Sequence, residues 1–333
     1  MALRTVPGTT DRRVDALLTL LADNTMIVIS GAKIAREIGV TRSTVWRWTQ
    51  KLRALGVRVK GHPRTGYQME KVPDVLAPNM LRRRLQGTPF AKRIYHFFKI
   101  DSTNSVALRL GQDDEPHGAL VLAEEQTAGR GRVGRSWHSE KSSGIYMTVL
   151  LRPPISPVQA SLLTLLAGLA ARDAIVEQAG ITPDLRWPND LLLNGKKLGG
   201  ILTEMHAEPD RIKFVIVGIG LNVNHARLPE ELAGMATSLR IETGRTHSRL
   251  ELLVKLLRCL DSYYNRFLAE GAAPILARFS EVSSYAQGKR VRITTAAESY
   301  VGTTAGLESS GLLRIKREDG RTETVIAGDV TAA

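Results

Sequence analysis

The chain has 333 residues, of which 43% are hydrophobic and 24% are charged, so it has enough apolar material for packed cores and is neither a disordered tail nor a fibrous repeat. Its length predicts two or three domains. Basic residues outnumber acidic ones, and the surplus is concentrated in residues 1–71, which hold 13 Lys or Arg against 5 Asp or Glu. A basic segment of this size favours a nucleic-acid partner, although solvated basic side chains also keep proteins soluble.

Three features predict a cytoplasmic protein with no membrane partner. Met1–Thr10 carries one Arg and no apolar run, so we expect no signal peptide. The longest apolar stretch, Ala160–Ala171, has roughly half the length of a membrane helix and predicts a buried helix instead. The single cysteine, Cys259, cannot form an internal disulfide and lies in a helical run, where we expect it to pack in the core.

The first domain begins with three predicted helices. The first covers residues 13–22, whose apolar side chains recur at helical spacing. Ser30 is a good N-cap for the second helix, and Gly39 ends it in a left-handed turn. Thr41 caps a third helix over residues 42–55. Its predicted buried stripe consists of Val45, Trp48 and Leu52.

The third helix has the polar face of a DNA-recognition helix, with a hairpin after it. Two short helices joined by a glycine turn match a helix-turn-helix, and the alternating residues 57–69 predict the wing of a winged helix. A three-helix module that binds protein or packs on its neighbour is the alternative. The side chains expected on DNA are Arg42, Ser43, Thr44, Arg47 and Lys51 on the helix and Arg58 and Arg64 at the wing.

A basic, glycine-rich loop follows the predicted strand at residues 118–123. Residues Gly129–Ser136 contain three glycines and three arginines and are one substitution from a P-loop, with Arg135 in the place of the lysine. A P-loop opens a helix, whereas a second strand at residues 144–151 follows here, so we reject that interpretation. A flexible loop of this kind can instead close over a triphosphate, which suits nucleotidyl transfer.

Further strands carry the remaining polar residues. A hairpin turns at Asn194-Gly195 and places Lys197 on its returning strand. The strand at residues 214–224 contains Gly-x-Gly without the third glycine and helix of a dinucleotide fold. No zinc-finger spacing occurs, and His138, His206 and His225 are not at metal-ligand spacings, so we predict no protein-bound metal.

These fragments occur in the order and spacing seen in biotin protein ligases, from about Phe97 to the C-terminus. With the winged helix in front, the whole chain resembles the bifunctional group that is both biotin ligase and repressor of biotin-synthesis genes. The fragments are Ser102-Thr103-Asn104, Gln126 through the arginine loop to Trp137, Arg186-Trp187-Pro188-Asn189-Asp190, Lys197-Leu198-x-Gly-Ile-Leu and Gly218-Ile219-Gly220-x-Asn222.

The resulting fold expectation is a multidomain α+β protein. Residues 1–71 form the winged helix-turn-helix and residues 72–93 a linker with a short helix. The resemblance implies a class-II-synthetase-like mixed sheet with helices at residues 94–286. Four short alternating strands in residues 287–333 predict a small β-barrel, which the resemblance makes SH3-like. This barrel either contacts nucleotide or carrier protein or serves as a stabilising cap.

The resemblance also implies roles for individual residues. Lys197 would lie between the carboxylate of biotin and the α-phosphate, and residues 222–238 would order over adenine, with the stacking side chain left open. The implied catalytic residues are Arg132, Lys197 and Asp190. Those implied to bind biotin are Ser102, Thr103, Asn104, Gln126, Arg130, Gly131, Arg132 and Lys197. Those implied to bind ATP or the adenylate are Arg130, Arg132, Arg135, Trp137, Asn189 and Asn222.

The implied reaction uses ATP, Mg²⁺ and biotin. Biotinyl-5′-adenylate would form first, and a lysine of the biotin carboxyl carrier protein would then receive the biotin. Operator DNA and a ligand-promoted homodimer complete the expected partners. Three alternatives stay open: a lipoate or octanoate ligase, a biotin-sensing transcription factor without turnover, and a ligase whose helix-turn-helix no longer represses.

Overall fold

The N-terminal domain is a winged helix-turn-helix. The computed structural model describes residues 7–54, 56–62, 64–71, 74–295 and 297–333. The elements of this domain are α1 (Arg12–Asp23), α2 (Gly31–Ile38), α3 (Arg42–Ala54), β1 (Val59–His62) and β2 (Gly66–Met69). The last two pair as an antiparallel hairpin and form the wing. Three parts of the sequence predictions for this domain lie outside the described residues. They are residues 1–6, the predicted helix end at Leu55 and the wing residue Pro63.

The predicted caps of this domain are confirmed. Ser30 Oγ accepts from the backbone N–H of Lys33 at 3.1 Å, and Gly39 takes a left-handed φ of 72° after α2. Thr41 Oγ1 accepts from the N–H of Thr44 at 3.2 Å. The stripe of α3 differs in one place from the prediction. Trp48 is half-buried, and Thr49 is fully buried, with its hydroxyl donating to the carbonyl of Val45 one turn earlier in the helix.

The segment expected to be a linker packs against both neighbouring domains. It holds α4 (Pro78–Arg84) and a short 3₁₀ turn at Pro89–Ala91, while Val72 and Pro73 lie outside the described residues. Its apolar residues are buried in the core of the central domain; they are Leu76, Leu81, Leu85 and Phe90. On the other side, the carboxylate of Asp15 in α1 accepts from the N–H of Asn79 at 3.0 Å.

The central domain is built on a mixed sheet. In the described residues its strand order is β3-β4-β5-β9-β8-β7-β6, with only the β3–β4 pair parallel. The strands are β3 (Arg93–Phe97), β4 (Ala119–Ala123), β5 (Gly144–Leu151), β6 (Asp184–Arg186), β7 (Asp190–Leu193), β8 (Lys196–Ala207) and β9 (Ile212–Asn222). The helices are α5 (Thr103–Gln112), α6 (Ala160–Ala179), α7 (Glu230–Ala233), α8 (Leu239–Thr243), α9 (Arg249–Glu270) and α10 (Ala273–Val282).

Helices cover both faces of this sheet. Helix α6 packs with α9 over the main core, and α5 covers the opposite face with a smaller cluster around Phe97, Val121 and Phe214. Among the described residues, one helix, Pro157–Ala179, is long and apolar enough by length and composition to cross a membrane, and 67% of its most apolar 18 residues is buried. It is the core helix expected from the apolar stretch. Cys259 on α9 is half-buried, and burial raises the pKa of its thiol to about 11.

The C-terminal domain is an antiparallel sheet. Its strands are β10 (Gln287–Thr294), β11 (Ser299–Leu307), β12 (Leu313–Arg317), β13 (Thr322–Val325) and β14 (Asp329–Ala332). The order β13-β12-β11-β10-β14 returns the last strand to the side of the first. The sequence predicted four of these strands and missed β14, a four-residue strand at the end of the chain. This strand matters for the site, since Asp329 at its start reaches the arginine loop.

Candidate active site

The cleft between the arginine loop and the central sheet gathers the predicted site residues. The N-terminus of α5 and the loop after β4 form one side, and residues of β5, β7, β8 and β9 form the floor. The predicted residues that line the cleft are Ser102, Thr103, Asn104, Gln126, Arg130, Gly131, Arg132, Arg135, Trp137, Asn189, Asp190 and Lys197. Segments from five parts of the chain therefore meet at one place.

One end of the cleft is a network of neutral hydrogen bonds. Gln126 Oε1 accepts from the backbone N–H of Thr103 at 2.8 Å and from its hydroxyl at 3.1 Å, and Gln126 Nε2 donates to Ser139 Oγ at 2.8 Å. Thr148 Oγ1 donates to Asn104 Oδ1 at 2.7 Å. These polar groups are held in fixed directions, which suits recognition of a small uncharged polar ring.

Two residues that the sequence did not single out complete this end. Thr148 is fully buried on β5 beneath Thr103 and Asn104. Glu204 on β8 accepts from Asn104 Nδ2 at 2.8 Å and pairs with Arg130 Nη2 at 2.8 Å. The sequence signal for Glu204 was its position, since it lies two residues after Leu202, where the motif that begins at Lys197 ends. Thr148 gave no signal, because a threonine in an apolar strand is common.

Glycines on β8 and β9 make room for the site. A Cβ at Gly218 would lie 2.0 Å from Asn104 Oδ1, and one at Gly220 would lie 2.5 Å from the indole of Trp137. A Cβ at Gly200 would lie 3.2 Å from Lys197 Cε. The Gly-x-Gly pair is thus explained by the close approach of side chains to the sheet, which agrees with the rejection of a dinucleotide fold.

Lys197 lines the cleft, and its charge is balanced by Asp190. The Lys197 Nζ–Asp190 Oδ1 distance is 2.6 Å, and Arg186 Nη2 lies 2.5 Å from the other oxygen of the carboxylate. Lys197 Nζ also lies 5.6 Å from the centre of the Trp137 ring, in cation–π range. Trp137 Nε1 is buried and has no hydrogen-bond partner among the described residues. This donor is available to a ligand in the cleft.

The arginine loop is held by oxygen atoms of two domains. Arg132 Nη1 donates to Asn189 Oδ1 at 2.8 Å, and Arg135 forms an ion pair with Asp329 of β14. Burial lowers the pKa of Arg132, while nearby Asp329 and Asp190 act in the opposite direction. The hydrogen bond and charge of Arg135 lower the pKa of Asp329. The C-terminal domain therefore contributes directly to the loop.

The loop after β9 closes a second cavity, of about 540 Å³, beside the first. Asn222 Nδ2 donates to the carbonyl of Thr237 at 3.0 Å, and the N–H of Lys197 donates to the carbonyl of Met235 at 2.8 Å. These bonds fix residues 222–238 to β8 next to Lys197. Apolar side chains suitable for packing on a flat base line the cavity; they are Trp137, Trp187, Leu228, Leu232, Met235 and Val330.

A buried ion network anchors the strand that leads into this site. Arg249 Nη2 lies 2.8 Å from Glu124 Oε2, and His96 Nε2 lies 3.1 Å from Glu124 Oε1. Burial alone would raise the pKa of Glu124, but the charge of Arg249 and the contacts with His96 outweigh it and lower the value to about 2. Since Glu124 is two residues before Gln126, this network fixes the start of the arginine loop.

The predicted DNA face lies on the winged helix. Arg42, Ser43, Arg47 and Lys51 are exposed, whereas Thr44 is half-buried next to the capping Thr41. Arg58 and Arg64 are exposed at the wing. The sequence analysis missed Trp46, which is 58% exposed on α3. A concave surface lies between α3 and the wing, and Arg42, Ser43, Trp46, Gln50, Arg53, His62 and Arg64 line it.

The structure brings together two histidines to which the sequence assigned no ligand role, a prediction that no observation tests. Their separation along the chain gave no ligand spacing, yet His138 and His225 lie side by side with ring centres 6.0 Å apart. Glu140 joins them, so that one donor atom from each of the three residues lies within 4.8 Å of the others. His206 lies elsewhere, stacked on Phe214. The fold brings together residues 87 positions apart, which spacing rules do not detect.

Comparison with known proteins identifies the domains. The family model described as "Biotin/lipoate A/B protein ligase family" matches residues 97–224, "HTH domain" matches residues 13–68, and "Biotin protein ligase C terminal domain" matches residues 287–331. A Bacillus subtilis protein named bifunctional ligase/repressor BirA is 38% identical over 296 residues, which are 88% of this chain and 90% of that protein. The chain belongs to the biotin protein ligase family.

Two further matches agree with this membership. The bifunctional ligase/repressor BirA of Escherichia coli K12 is 28% identical over 95% of both chains. The biotin protein ligase of Aquifex aeolicus, solved in complex with biotin and ATP, has 30% identity and a TM-score of 0.62 over 72% of this chain and 98% of that one. The chain is therefore a biotin ligase with an N-terminal helix-turn-helix, as the resemblance of its motifs implied.

Proposed function

We propose that the cleft joins biotin to ATP. The carboxylate oxygen of biotin attacks the α-phosphorus, the bond to the bridging oxygen breaks, and pyrophosphate leaves, which yields biotinyl-5′-adenylate. The observation that carries this proposal is that Lys197 lines both the cleft that contains Thr103, Gln126 and the arginine loop and the adjoining cavity closed by the loop after β9. A carboxylate and a phosphate placed on either side of this ammonium group react while it neutralises the growing charge.

Each end of the cleft has its own ligand in this proposal. The hydrogen-bonding groups of Ser102, Thr103, Asn104 and Gln126 hold the ureido ring of biotin. Arg130, Gly131 and Arg132 fold over the bound ligand, retaining the adenylate and excluding water, while Arg135, Asn189 and Asn222 contact the nucleotide. Trp137 offers its unpartnered indole N–H and its ring. Arg132 turns from Asn189 to the phosphates when ATP enters.

Mg²⁺ accompanies ATP in this reaction. The oxygen donors on the nucleotide side fit this ion, because Mg²⁺ binds through one or two carboxylates and the substrate phosphates. Asp190 is the carboxylate closest to Lys197 and would hold the ion. When bound, the ion neutralises phosphate charge and orients the leaving pyrophosphate.

The second step transfers biotin to a carrier lysine. The lysine amine attacks the carbonyl carbon of the mixed anhydride, AMP leaves, and an amide forms with no covalent intermediate on this chain. Asp190 lies where it can accept the proton that the amine loses, once phosphates replace its contact with Lys197. The acceptor is the lysine of a biotin carboxyl carrier protein, and the reaction takes place in the cytoplasm.

Exchange of labelled pyrophosphate into ATP tests the first step. Purified full-length chain, without carrier or DNA, is expected to catalyse exchange with biotin and not with lipoate or octanoate. Exchange supported by lipoate or octanoate would instead establish the lipoate-type alternative. No exchange with any of the three acids, together with measurable biotin binding, would establish a sensor without turnover.

We also propose that the adenylate-loaded chain represses transcription as a dimer. The exposed basic face of α3 and the wing supports a role in DNA binding, and two copies paired through their central sheets would place two recognition helices on a palindromic operator. Occupation of the cleft would order residues 222–238 and favour the dimer. Sedimentation and gel-shift titration are expected to show tighter dimerisation and DNA binding with biotin plus ATP. Equal affinities with and without them would refute this link.

The variant Arg47→Ala checks the surface itself. Loss of an exposed guanidinium in the major groove is expected to weaken operator binding by about 1–3 kcal/mol. Lys92→Ala removes the same charge from an exposed position of the central domain and serves as the control. Equal losses in both variants would show only a general electrostatic effect, and the helix-turn-helix would then carry no specific DNA contact at this position.

A further inference from the structure

Beside the cleft, three side chains form a cluster that the ligase reaction does not use. His138 and Glu140 lie at the end of the arginine-loop segment, and His225 lies three residues after the end of β9. One donor atom of each lies within 4.8 Å of the other two. His138 and Glu140 are exposed, whereas His225 has no exposed surface. Of the three, His138 also lines the nucleotide-side cavity.

The hydrogen bonds around His225 define its tautomer. The hydroxyl of Tyr146 donates its one proton to the carbonyl of Glu140 at 2.9 Å. His225 Nε2 lies 3.3 Å from the same hydroxyl oxygen, so Nε2 carries a proton and donates it. Nδ1 of His225 therefore has a free lone pair. It is buried, and it has no hydrogen-bond partner among the described residues.

Glu140 supplies negative charge beside the two imidazole rings. The buried guanidinium of Arg249 is balanced by Asp74 and Glu124, so it does not use the carboxylate of Glu140. A buried, neutral imidazole with an unused lone pair next to a second imidazole and a carboxylate lacks only a cation. Unsatisfied buried polar atoms of this kind are uncommon in folded proteins.

The donor set defines the class of cation. Two imidazoles and one carboxylate bind zinc and related transition ions, which take three protein ligands and one water in open sites, whereas Mg²⁺ prefers oxygen donors alone. At a Zn–N distance of about 2.0–2.1 Å the ligand atoms lie about 3.3 Å apart. Rotation of the exposed side chains of His138 and Glu140 would close this distance on the buried ring of His225.

We propose that His138, Glu140 and His225 form a binding site for a divalent transition metal of the zinc class. The ion joins the segment that carries the arginine loop to the segment that closes over the nucleotide-side cavity. The ion lies outside the reacting groups. The hydroxyl of Tyr146 accepts the proton on Nε2 of His225 and so orients the buried ligand, as hydrogen-bond partners of metal-bound histidines do. The site is separate from the Mg²⁺ that accompanies ATP, and it fills without nucleotide.

Zinc titration of the untagged full-length chain, against a chromophoric chelator and with no ATP or biotin present, tests this site. One equivalent is expected to bind to the wild type. His138→Gln and Glu140→Gln change exposed positions, so both variants are expected to fold. Each is expected to weaken zinc binding by more than about tenfold, because loss of a residue that merely hydrogen-bonds a metal ligand already costs about 10- to 100-fold. His206→Gln is the matched control, an exposed histidine on β8 away from the cluster.

Cobalt gives a second measurement on the same proteins. Co²⁺ in a site with two imidazoles produces a visible absorption band that depends on its ligands, and this band is expected to disappear in His138→Gln and to persist in His206→Gln. The proposal is overturned if the wild type binds no zinc, or if all three variants bind zinc equally. Both outcomes can be distinguished from failure of the ligase assignment, because neither measurement depends on adenylation.

Discussion

The two ends of the cleft are built on different physical principles. At the end beside α5, hydrogen bonds between the uncharged side chains of Thr103, Gln126, Asn104 and Thr148 join most of the groups proposed for biotin. The carboxylate of Glu204 accepts from Asn104 at the edge of this network, where it pairs with Arg130. At the phosphate end, each cation is balanced by an acidic or amide oxygen, as Lys197 is by Asp190. One end is ready for its ligand before binding, and the other must exchange protein contacts for phosphate contacts. This arrangement favours an uncharged ring at one end and a charged, loop-closing ligand at the other.

The largest expected effect is on the free energy of unfolding, through the buried network that precedes Gln126 at the biotin end of the cleft. Glu124→Gln removes the fully buried anion that pairs with Arg249 and leaves the half-buried Asp74 as the counter-charge of that guanidinium, which is expected to lower the free energy of unfolding by about 3 kcal/mol. The half-exposed neighbour pair of Glu125 and Lys99 provides the control, and Glu125→Gln is expected to cost less than about 1 kcal/mol. Urea denaturation measures both.

Wild type and Glu124→Gln can also be compared as a function of pH. The folded-state pKa of Glu124 is lowered from 4.5 to about 2, so its contribution to stability is fully present above pH 4.5 and is lost as the pH falls towards 2. The difference in unfolding free energy between wild type and Glu124→Gln is therefore expected to shrink over that window. A difference that stays constant down to pH 2 would show that the charge of Glu124 does not stabilise the fold.

The charged end is tested most strongly by Lys197→Ala. Loss of a preorganised cation at the site of developing charge is expected to lower biotin-dependent pyrophosphate exchange by about 10²- to 10³-fold. Lys196→Ala removes an exposed lysine one position away on the same strand and is expected to retain wild-type exchange. Retained exchange in Lys197→Ala would remove this residue from the mechanism.

Gly218→Ala tests the steric fit at the neutral end. The new Cβ would lie 2.0 Å from Asn104 Oδ1 and must displace it, so the KM for biotin is expected to rise about tenfold or more. Gly168→Ala is the control, because a Cβ at this position of α6 has 3.6 Å to its nearest neighbour. A KM that stays unchanged in Gly218→Ala would show that Asn104 does not contact biotin.

Asp329→Asn is expected to have the smallest effect. It releases Arg135 from an exposed ion pair, which is worth about 0.2–1 kcal/mol, so the KM for ATP is expected to fall by a few-fold at most. Asp319→Asn, an exposed position in the same domain, is expected to leave the KM unchanged. A rise in the KM for ATP in Asp329→Asn would mean that Asp329 helps to bind the nucleotide rather than restraining the loop.

The sequence predicted most of the fold because its signals are local. Ser30 and Gly39 cap a helix, Asn194-Gly195 turns a hairpin, and the residues after the arginine loop begin a strand; each of these depends on neighbours in the chain. Strand β14 escaped prediction because its four residues carry one large apolar side chain, Val330, so that no alternation stands out.

The parts of the site that were missed depend on distant contacts. Glu204 meets Arg130 and Asn104 across about 75 and 100 positions, and Asp329 meets Arg135 across nearly 200. No periodicity or spacing encodes such pairs. The cluster of His138, Glu140 and His225 is concealed for the same reason, since two of its members are close in sequence and the third arrives only when β9 pairs with β5.

Steady-state pyrophosphate exchange with two variants tests the division of the cleft most directly. Thr103→Val removes a hydroxyl from the neutral network, and Arg135→Ala removes a cation from the loop. With thermal melting to confirm folding, Thr103→Val is expected to raise the KM for biotin and leave that for ATP unchanged, and Arg135→Ala is expected to do the reverse. If both variants change both constants to the same extent, the two ends form one indivisible site and the account is contradicted.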